Sequence, residues 1–396
     1  MTIEEVQVVS DNNDFEINSV LEEHISTKNH EELMKALSVS VEESGKGNFH
    51  QGIHTPSAKA PSHWYRRKLT GWLHHHLVPE HFRLAVEKKF GVFIVLRDTN
   101  EYHYEEMPIY TRIGMHLLFV GHHYHEKFVD SSMMHRLFLH ESLKQGTYFT
   151  DPKSVSQIPS FINHYSIDMT DYVQQDISAY ANFNEFFIRA IRPEVRPIAD
   201  PNNLDVLVSA ADCRLNVFHH ITEATEYWIK GKKFTLANLF QNEDLAKSLD
   251  GGSLAIFRLA PQDYHRFHSP TRGTVQSISN IEGTYFTVNP CTVREELDVF
   301  TENHRQIIQM KDYKDRPFAV VAVGALLVGS IQLTNAKNEG ATLDKGEEMG
   351  YFQYGGSTVI CVFGKDTVHW DQDLTKNSTL SFETYVRMGE RIGTFI

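Results

Sequence analysis

Apolar residues first fall into a regular pattern after Ser62. In HWYRRKLTGWLHHHL (63–77), and again from Tyr110 to Leu143, they recur at three- and four-residue spacing, which predicts amphipathic helices with Ser62 as a cap. A second helical passage is expected over residues 158–191, through IPSFINHYSI and FNEFFIRAI. It stops at Arg192-Pro193, because a proline disfavours helical backbone in the residue before it. After Pro197 the texture changes. VLVSAADCRLNVF, SLAIFRLA, GTVQSI, TYFTV, FAVVAVGALLVGSIQL and STVICVF are short runs rich in β-branched and aromatic residues, punctuated by Gly, Asn and Pro, and they read as strands. The expected fold class is α+β: a mainly β domain, barrel- or sandwich-like, preceded by a helical region. The boundaries follow the pattern: residues 1–61 an acidic, poorly ordered tail and linker (GIHTPSAKAP), 62–150 helical, and 151–396 the β-rich domain.

Charge sharpens this division. Residues 1–50 hold 11 Asp or Glu against 3 Lys, so most of the formal net charge of −13 sits in the tail. Nothing supplies the basic footprint that nucleic-acid binding needs. The three cysteines, Cys213, Cys291 and Cys361, are odd in number and widely spaced, which points to a reduced compartment rather than a disulfide framework or a CxxC metal site. The opening MTIEEVQVVSDNNDFE has neither the apolar core of a signal peptide nor the arginines of a transit peptide. No run approaches the roughly 18–20 apolar residues of a membrane span. The expectation is an intracellular protein, cytosolic or peripheral on an endomembrane and not mitochondrial by presequence, meeting a bilayer only at its surface.

Three segments carry candidate chemistry. In KGEEMGYFQYGGSTVICVF (345–363), Gly355-Gly356-Ser357-Thr358 lies between two expected strands. It reads as a turn, or as a site of self-cleavage. For cleavage, a serine hydroxyl attacks the carbonyl just before it, which needs an unusual, crowded backbone that glycine tolerates. An N-to-O acyl shift at Gly356–Ser357 followed by β-elimination frees the upstream chain and leaves dehydroalanine, which loses ammonia to become a pyruvoyl group. Serine is required because its oxygen is first nucleophile and then leaving group. In FRLAPQDYHRFHSP (257–270), His265 and His268 are either structural histidines bonded to backbone or the general base that such a serine needs. Their Asp-x-His-x-x-His grouping lacks further zinc ligands nearby, and His74-His75-His76 and His122-His123 offer no matching set, so no metal is expected. In VSAADCRLNVF (208–218), Asp212 interrupts an apolar run and so needs a partner: a structural salt bridge, or a histidine that it orients as the acid of a Ser-His-Asp arrangement.

Taken together these segments resemble the phosphatidylserine decarboxylase family. FNEFFIRAIRPEVRPI, AADCRL, YWIKGKKF, FRLAPQDYHRFHSP, YFTVNP, VFTENHR, VGALLVGSI and KGEEMGYFQYGGSTVICVF fit the family pattern in order over roughly residues 155–390. GGST with AADCRL and WIKGKKF is most similar to the extramitochondrial eukaryotic branch. The resemblance implies self-cleavage at Gly356–Ser357 into chains 1–356 and 357–396, with Ser357 becoming a covalent pyruvoyl cofactor. It implies that Asp212 and His268 form the processing triad with Ser357, and that His265 assists decarboxylation as proton donor. The implied reaction converts phosphatidylserine to phosphatidylethanolamine and carbon dioxide, the pyruvoyl carbonyl acting as electron sink. The calcium-dependent lipid-binding domain common upstream in that branch, and the membrane-spanning lead of mitochondrial relatives, have no counterpart in the residues before 151.

A phospholipid substrate requires contact with a bilayer. Trp64, Tyr65, Leu69 and Trp72 beside Arg66, Arg67 and Lys68, within residues 63–91, suit an interfacial helix on anionic lipid, or an amphipathic helix packed on the β domain. The stretch 115–139 poses the same choice, with packing favoured. The expected partners are therefore phosphatidylserine and a membrane surface bound peripherally, with oligomerisation left open. Two other functions stay open at this stage: a pyruvoyl-dependent decarboxylase of free, aromatic amino acids on the same scaffold, and a catalytically silent lipid-binding homologue.

Overall fold

The computed structural model describes residues 91–106, 146–227, 229, 234–284, 299–325, 330–353 and 357–396. The acidic tail, the aromatic and basic stretch 63–90, the stretch 115–139, both histidine runs, Cys291, Gly355 and Gly356 lie outside the described residues. Apart from Glu106, what is described belongs to one compact unit, residues 91–105 and 132–396.

Its frame is one large sheet of ten strands. Across it run β11 (Thr342–Leu343), β7 (Gly273–Ile281), β8 (Arg305–Asp312), β9 (Pro317–Gly324), β13 (Ser357–Phe363), β5 (Ser253–Leu259), β4 (Cys213–Phe218), β15 (Glu383–Val386), β1 (Gly91–Leu96) and β2 (Glu101–Glu106). From β11 to β15 every neighbour is antiparallel, while β1 joins β15 in parallel. Two three-stranded sheets complete the β structure. One is β10 (Ile331–Leu333), β12 (Glu348–Phe352) and β6 (Arg266–His268); the other is β14 (Val368–Trp370), β16 (Arg391–Phe395) and β3 (Val206–Val208).

The sheet is open, so the described residues form no closed barrel; of the two expected forms, the layered one fits. Where they are described, the runs after Pro197 form strands whose alternate residues bury on different faces; most of TYFTV and the middle of FAVVAVGALLVGSIQL lie outside the described residues. Val359, Cys361 and Phe363 share a core with Phe257, Leu259, Leu215 and Val320 of the large sheet. Phe267, Met349, Phe352, Trp370 and Phe395 of the small sheets enter the same core. The intervening Ile360 and Val362 point to the opposite face and are equally buried. With both faces covered, these strands read as continuous apolar runs rather than as an alternation.

Two expectations need correction. The helical region was taken to extend over 62–150, but Gly91–Leu96 and Glu101–Glu106 are strands. GVFIVL is a short β-branched and aromatic run, RDTN supplies the turn with Asn100 at a φ of 55°, and EYHYEE alternates. The helical passage over 158–191 is two short helices, Ile158–Tyr165 and Phe183–Phe187. The first ends where Ser166 turns left-handed at φ 54°. The second is capped by Asn182, whose Oδ1 accepts from Glu185 N, while the Glu185 carboxylate accepts from Ala181 N just before the cap. Phe149, Phe161, Phe183 and Phe186 stack edge-on or tilted between these segments and anchor them.

Residues 357–396 are woven into this frame. β13 is paired along its whole length, to β5 on one side and β9 on the other. β15 lies between β4 and β1, and β16 pairs with β3. Among the described residues no helix is long and apolar enough to cross a membrane.

Candidate active site

Ser357 opens β13. Its backbone sits opposite Leu259 on β5 and Gly324 on β9, and it shares strand parity with Val359 and Cys361, so its side chain belongs to the core face that meets the two small sheets. It is fully buried, and its Oγ has no hydrogen-bond partner among the described residues. A hydroxyl left in that state costs about 1–3 kcal/mol; Thr358 Oγ1, on the opposite face of the strand, is in the same state among the described residues. The backbone around it is held from the β9 side: Asn303 donates to Gly324 O at 2.8 Å, and Gly324 N donates to His304 O at 2.9 Å.

From Leu259 the chain turns through residues 260–265 into β6. Asp263 fixes this turn, since its Oδ2 accepts from Ala260 N at 2.7 Å and from the buried Arg214 guanidinium. Arg214 lies in register with Arg258, and each of these buried like charges has its own carboxylate. Arg258 makes a two-point pair with Glu383, Nε to Oε1 at 2.7 Å and Nη2 to Oε2 at 2.5 Å. His265 follows directly, fully buried. Its Nδ1 lies 2.9 Å from Asp263 O, its ring packs on Phe187 at 4.0 Å between centroids, and its carbonyl accepts from Phe352 N at 2.9 Å. A carbonyl can only accept, so the neutral ring carries its proton on Nδ1 and offers Nε2 as the basic atom.

His268 ends β6. Its backbone N donates to Ala210 O at 2.8 Å, which brings the strand against the Ala210–Asp212 segment. Its Nδ1 is 2.9 Å from Gly346 O and its Nε2 3.1 Å from the hydroxyl of Tyr264. Gly346 is required there: its φ is +79°, and a Cβ would come within 2.3 Å of Ile198 Cδ1. Burial pushes the pKa of His268 below the usual histidine value of 6.5. The bond to Gly346 and the negative charges of Glu348 and Asp212 oppose that shift without reversing it, and Arg266 adds to it. Near neutral pH the ring is therefore uncharged, with Nδ1–H on Gly346 O and Nε2 as acceptor.

Asp212 is nearly buried and fully engaged. Arg196 Nε reaches Oδ1 at 3.0 Å and Oδ2 at 3.1 Å, Arg196 Nη2 reaches Oδ2 at 2.7 Å, and Met388 N donates to Oδ1 at 2.8 Å. Burial alone would lower the pKa of Arg196, but its hydrogen bonds to and the charge of Asp212 outweigh that, and the pKa is raised.

Thus Asp212, His268 and the turn bearing His265 are gathered round one end of β5 and β6, and Ser357 faces the same layer. Among the described residues, no hydrogen bond joins Ser357 Oγ to any of them, and those recorded for Asp212 go to Arg196 and Met388 rather than to His268. Of the two partners open to Asp212 in the sequence, the carboxylate takes the salt bridge. It acts on His268 through its charge. Arg196, Tyr264 and Gly346 were not singled out from the sequence, although all three lie in the segments RPEVRPI, QDYHRFH and DKGEE beside residues that were. Among the described residues no group of three His, Cys, Asp or Glu side chains could hold a metal ion. Cys213 and Cys361 are free and buried in the core.

Comparison with known proteins gives this geometry a context. The family model described as phosphatidylserine decarboxylase matches residues 183–394. The "phosphatidylserine decarboxylase proenzyme 3" of Schizosaccharomyces pombe is 43% identical over 297 residues, covering 75% of this chain and 30% of that protein. The "phosphatidylserine decarboxylase proenzyme 2" of Oryza sativa subsp. japonica is 44% identical over 254 residues, 64% of this chain and 40% of that protein. In Fusobacterium nucleatum the "phosphatidylserine decarboxylase proenzyme" is 37% identical over 274 residues, 67% of this chain and 90% of that protein. The chain therefore spans less than half the length of the fungal and plant relatives and nearly all of the bacterial one.

Proposed function

The chain belongs to the phosphatidylserine decarboxylase family, and on that premise we propose that it cuts itself between Gly356 and Ser357 and then converts phosphatidylserine to phosphatidylethanolamine and carbon dioxide. The observation that carries this reading is the Ser357 hydroxyl, buried without a hydrogen-bond partner among the described residues at the head of a strand that is otherwise fully paired.

In the processing step the Ser357 hydroxyl loses its proton to His268 and attacks the carbonyl carbon of residue 356. The peptide C–N bond breaks as the acyl group passes from nitrogen to oxygen, and the nitrogen takes up a proton. β-Elimination then passes the Ser357 Cα proton to a base and breaks the Cβ–O bond, releasing chain 1–356 as a carboxylate and leaving dehydroalanine. This enamine shifts to the imine, water replaces its nitrogen, ammonia leaves, and a pyruvoyl cap remains. An uncharged imidazole suits the base role, because only the neutral ring can accept a proton. Pairing on both sides of β13 supports retention of the short chain, since cutting before Ser357 breaks none of the strand's ladder bonds.

The residues present fit a group made from Ser357: it would sit buried at the end of β13, beside the turn that holds His265. That carbonyl, once formed, supplies an electrophile that captures the substrate amine and takes up the electrons of the broken carbon–carboxylate bond. His265 would take up at Nε2 a proton shed by the substrate ammonium and return it to the substrate carbon, its ring fixed by the bond from Nδ1 to Asp263 O and covered by Phe187. The Phe187 face also favours a transient positive charge on that ring. Asp212, held by Arg196, keeps a negative charge near His268 without drawing the proton from its Nδ1.

The relatives above carry phosphatidylserine decarboxylase names, and no observation favours free aromatic amino acids or a silent homologue. Peripheral contact with a membrane surface completes the proposal, because the substrate resides there. The test is carbon dioxide release from carboxyl-labelled phosphatidylserine in mixed micelles, with free tyrosine and tryptophan in parallel. Wild-type protein is expected to release label from the lipid alone and Ser357→Ala from neither. Release only from the amino acids would overturn the substrate, and activity in Ser357→Ala would overturn the mechanism.

A further inference from the structure

His268 is held at both nitrogens, and neither contact is the carboxylate of Asp212. Nδ1 faces Gly346 O at 2.9 Å and Nε2 faces Tyr264 Oη at 3.1 Å, while the rings of Tyr264 and His268 lie 5.6 Å apart at 34°. The carbonyl of Gly346 fixes Nδ1–H, so the phenol must donate to Nε2. Burial and the nearby charge of Glu348 keep the phenol protonated, raising its pKa well above the ordinary 10. Tyr264 is itself immobilised. It is 2% exposed and packs with Tyr172 and Ile191, and Arg189 joins this cluster to the turn by bonding Tyr172 Oη at 3.0 Å and Gln262 O at 3.2 Å.

The geometry points to Tyr264 as the positioning residue of His268: its hydroxyl holds the imidazole ring, whose tautomer the Gly346 carbonyl sets, for the self-cleavage of Ser357. A hydroxyl suits this better than a carboxylate or a carbonyl. It rotates about its C–O bond, so its proton turns off the Nε2 lone pair as the Ser357 proton arrives there, and the same oxygen then accepts from Nε2–H. The charged and titratable groups acting on His268 are Glu348 and Asp212, which favour its protonation, and Arg266, which opposes it. Arg196, bound to Asp212, sets how strongly that carboxylate is felt.

This inference rests on His268 being the base for Ser357, and the experiment separates the two. In the Ser357→Ala precursor, which cannot process, 15N NMR of selectively labelled histidine should show His268 protonated at Nδ1 and bare at Nε2. Adding Tyr264→Phe should move the Nε2 resonance by several ppm and leave Nδ1 in place. With Ser357 present, Tyr264→Phe should slow the appearance of the two chains about fivefold, the effect of one well-formed hydrogen bond. Tyr172→Phe, which removes a hydroxyl from the same cluster, should leave that rate within about twofold. A proton on Nε2, an unmoved Nε2 resonance, or equal slowing in both Phe variants would overturn the role of Tyr264. Unimpaired processing in His268→Gln would instead overturn the base assignment, and the NMR result would still decide whether Tyr264 orients the ring.

Discussion

β13 and the pocket around His268 treat their polar groups in opposite ways. Along β13 every backbone position is paired on both sides, yet the side-chain hydroxyls of its first two residues, Ser357 and Thr358, are buried with no hydrogen-bond partner among the described residues. A short distance away, Asp212 accepts from Arg196 and Met388, and His268 is held at both nitrogens. On the function proposed, the Ser357 hydroxyl is a reacting atom set against a fixed scaffold, and Thr358, on the opposite face of the strand, shares only its lack of a partner. A group that must form a new bond gains from having none to break first, and a group that must receive a proton gains from being fixed in one tautomer.

The contrast is broken most completely at the serine. Ser357→Ala should abolish self-cleavage, read as a single band on a denaturing gel. Because it removes a buried hydroxyl that no described group satisfies, the precursor should be as stable as wild-type precursor or more so, by up to about 1 kcal/mol in urea. Next comes the opposite region. Arg196→Leu leaves the Asp212 carboxylate buried without its cation and should cost about 3–5 kcal/mol, seen as a fall in the urea midpoint. Gly346→Ala forces a positive φ on a side chain and drives its Cβ into Ile198, moving the carbonyl that fixes His268. A loss of about 1–3 kcal/mol is expected, with processing slowed by more than the destabilisation explains.

The smallest effect is that of pH. The pKa of His268 in the folded chain lies below the value of 6.5 that it has unfolded, so the unfolded chain binds the extra proton first. Its contribution to stability is complete above about pH 6.5 and is lost as pH falls toward the folded pKa. Urea melts of Ser357→Ala should weaken over that window, and adding His268→Gln should flatten part of the decline. Self-cleavage of the wild type should slow over the same fall in pH as the base fills.

Much of the β domain was legible because its strands are buried on both faces. STVICVF and FAVVAV could not be amphipathic, and their length and β-branched content excluded helices. The strand pair at 91–106 carries a local strand–turn–strand pattern that the helical reading of 62–150 passed over; what no local pattern reports is that GVFIVL pairs with β15, some 290 positions later. Within the site, the need of Asp212 for a partner could be read from a carboxylate in an apolar run. That the partner is Arg196, sixteen positions away, depends on how the turn before β3 folds back. Tyr264 and His268 are four residues apart, a spacing that in a fully extended segment would hold their side chains roughly 13 Å apart. Their bond is a property of the bend before β6, not of the motif. Ser357 stood out because glycine before serine between strands has a chemical use. Its lack of a hydrogen-bond partner needed the fold.

The central claim concerns what residue 357 becomes, and the intact mass of the purified protein addresses it most directly. The account predicts two species, one ending at Gly356 and one lighter by a single ammonia than the unmodified peptide 357–396, its amino terminus closed to sequencing. A single full-length chain, or a short chain that starts with an intact serine, would contradict it.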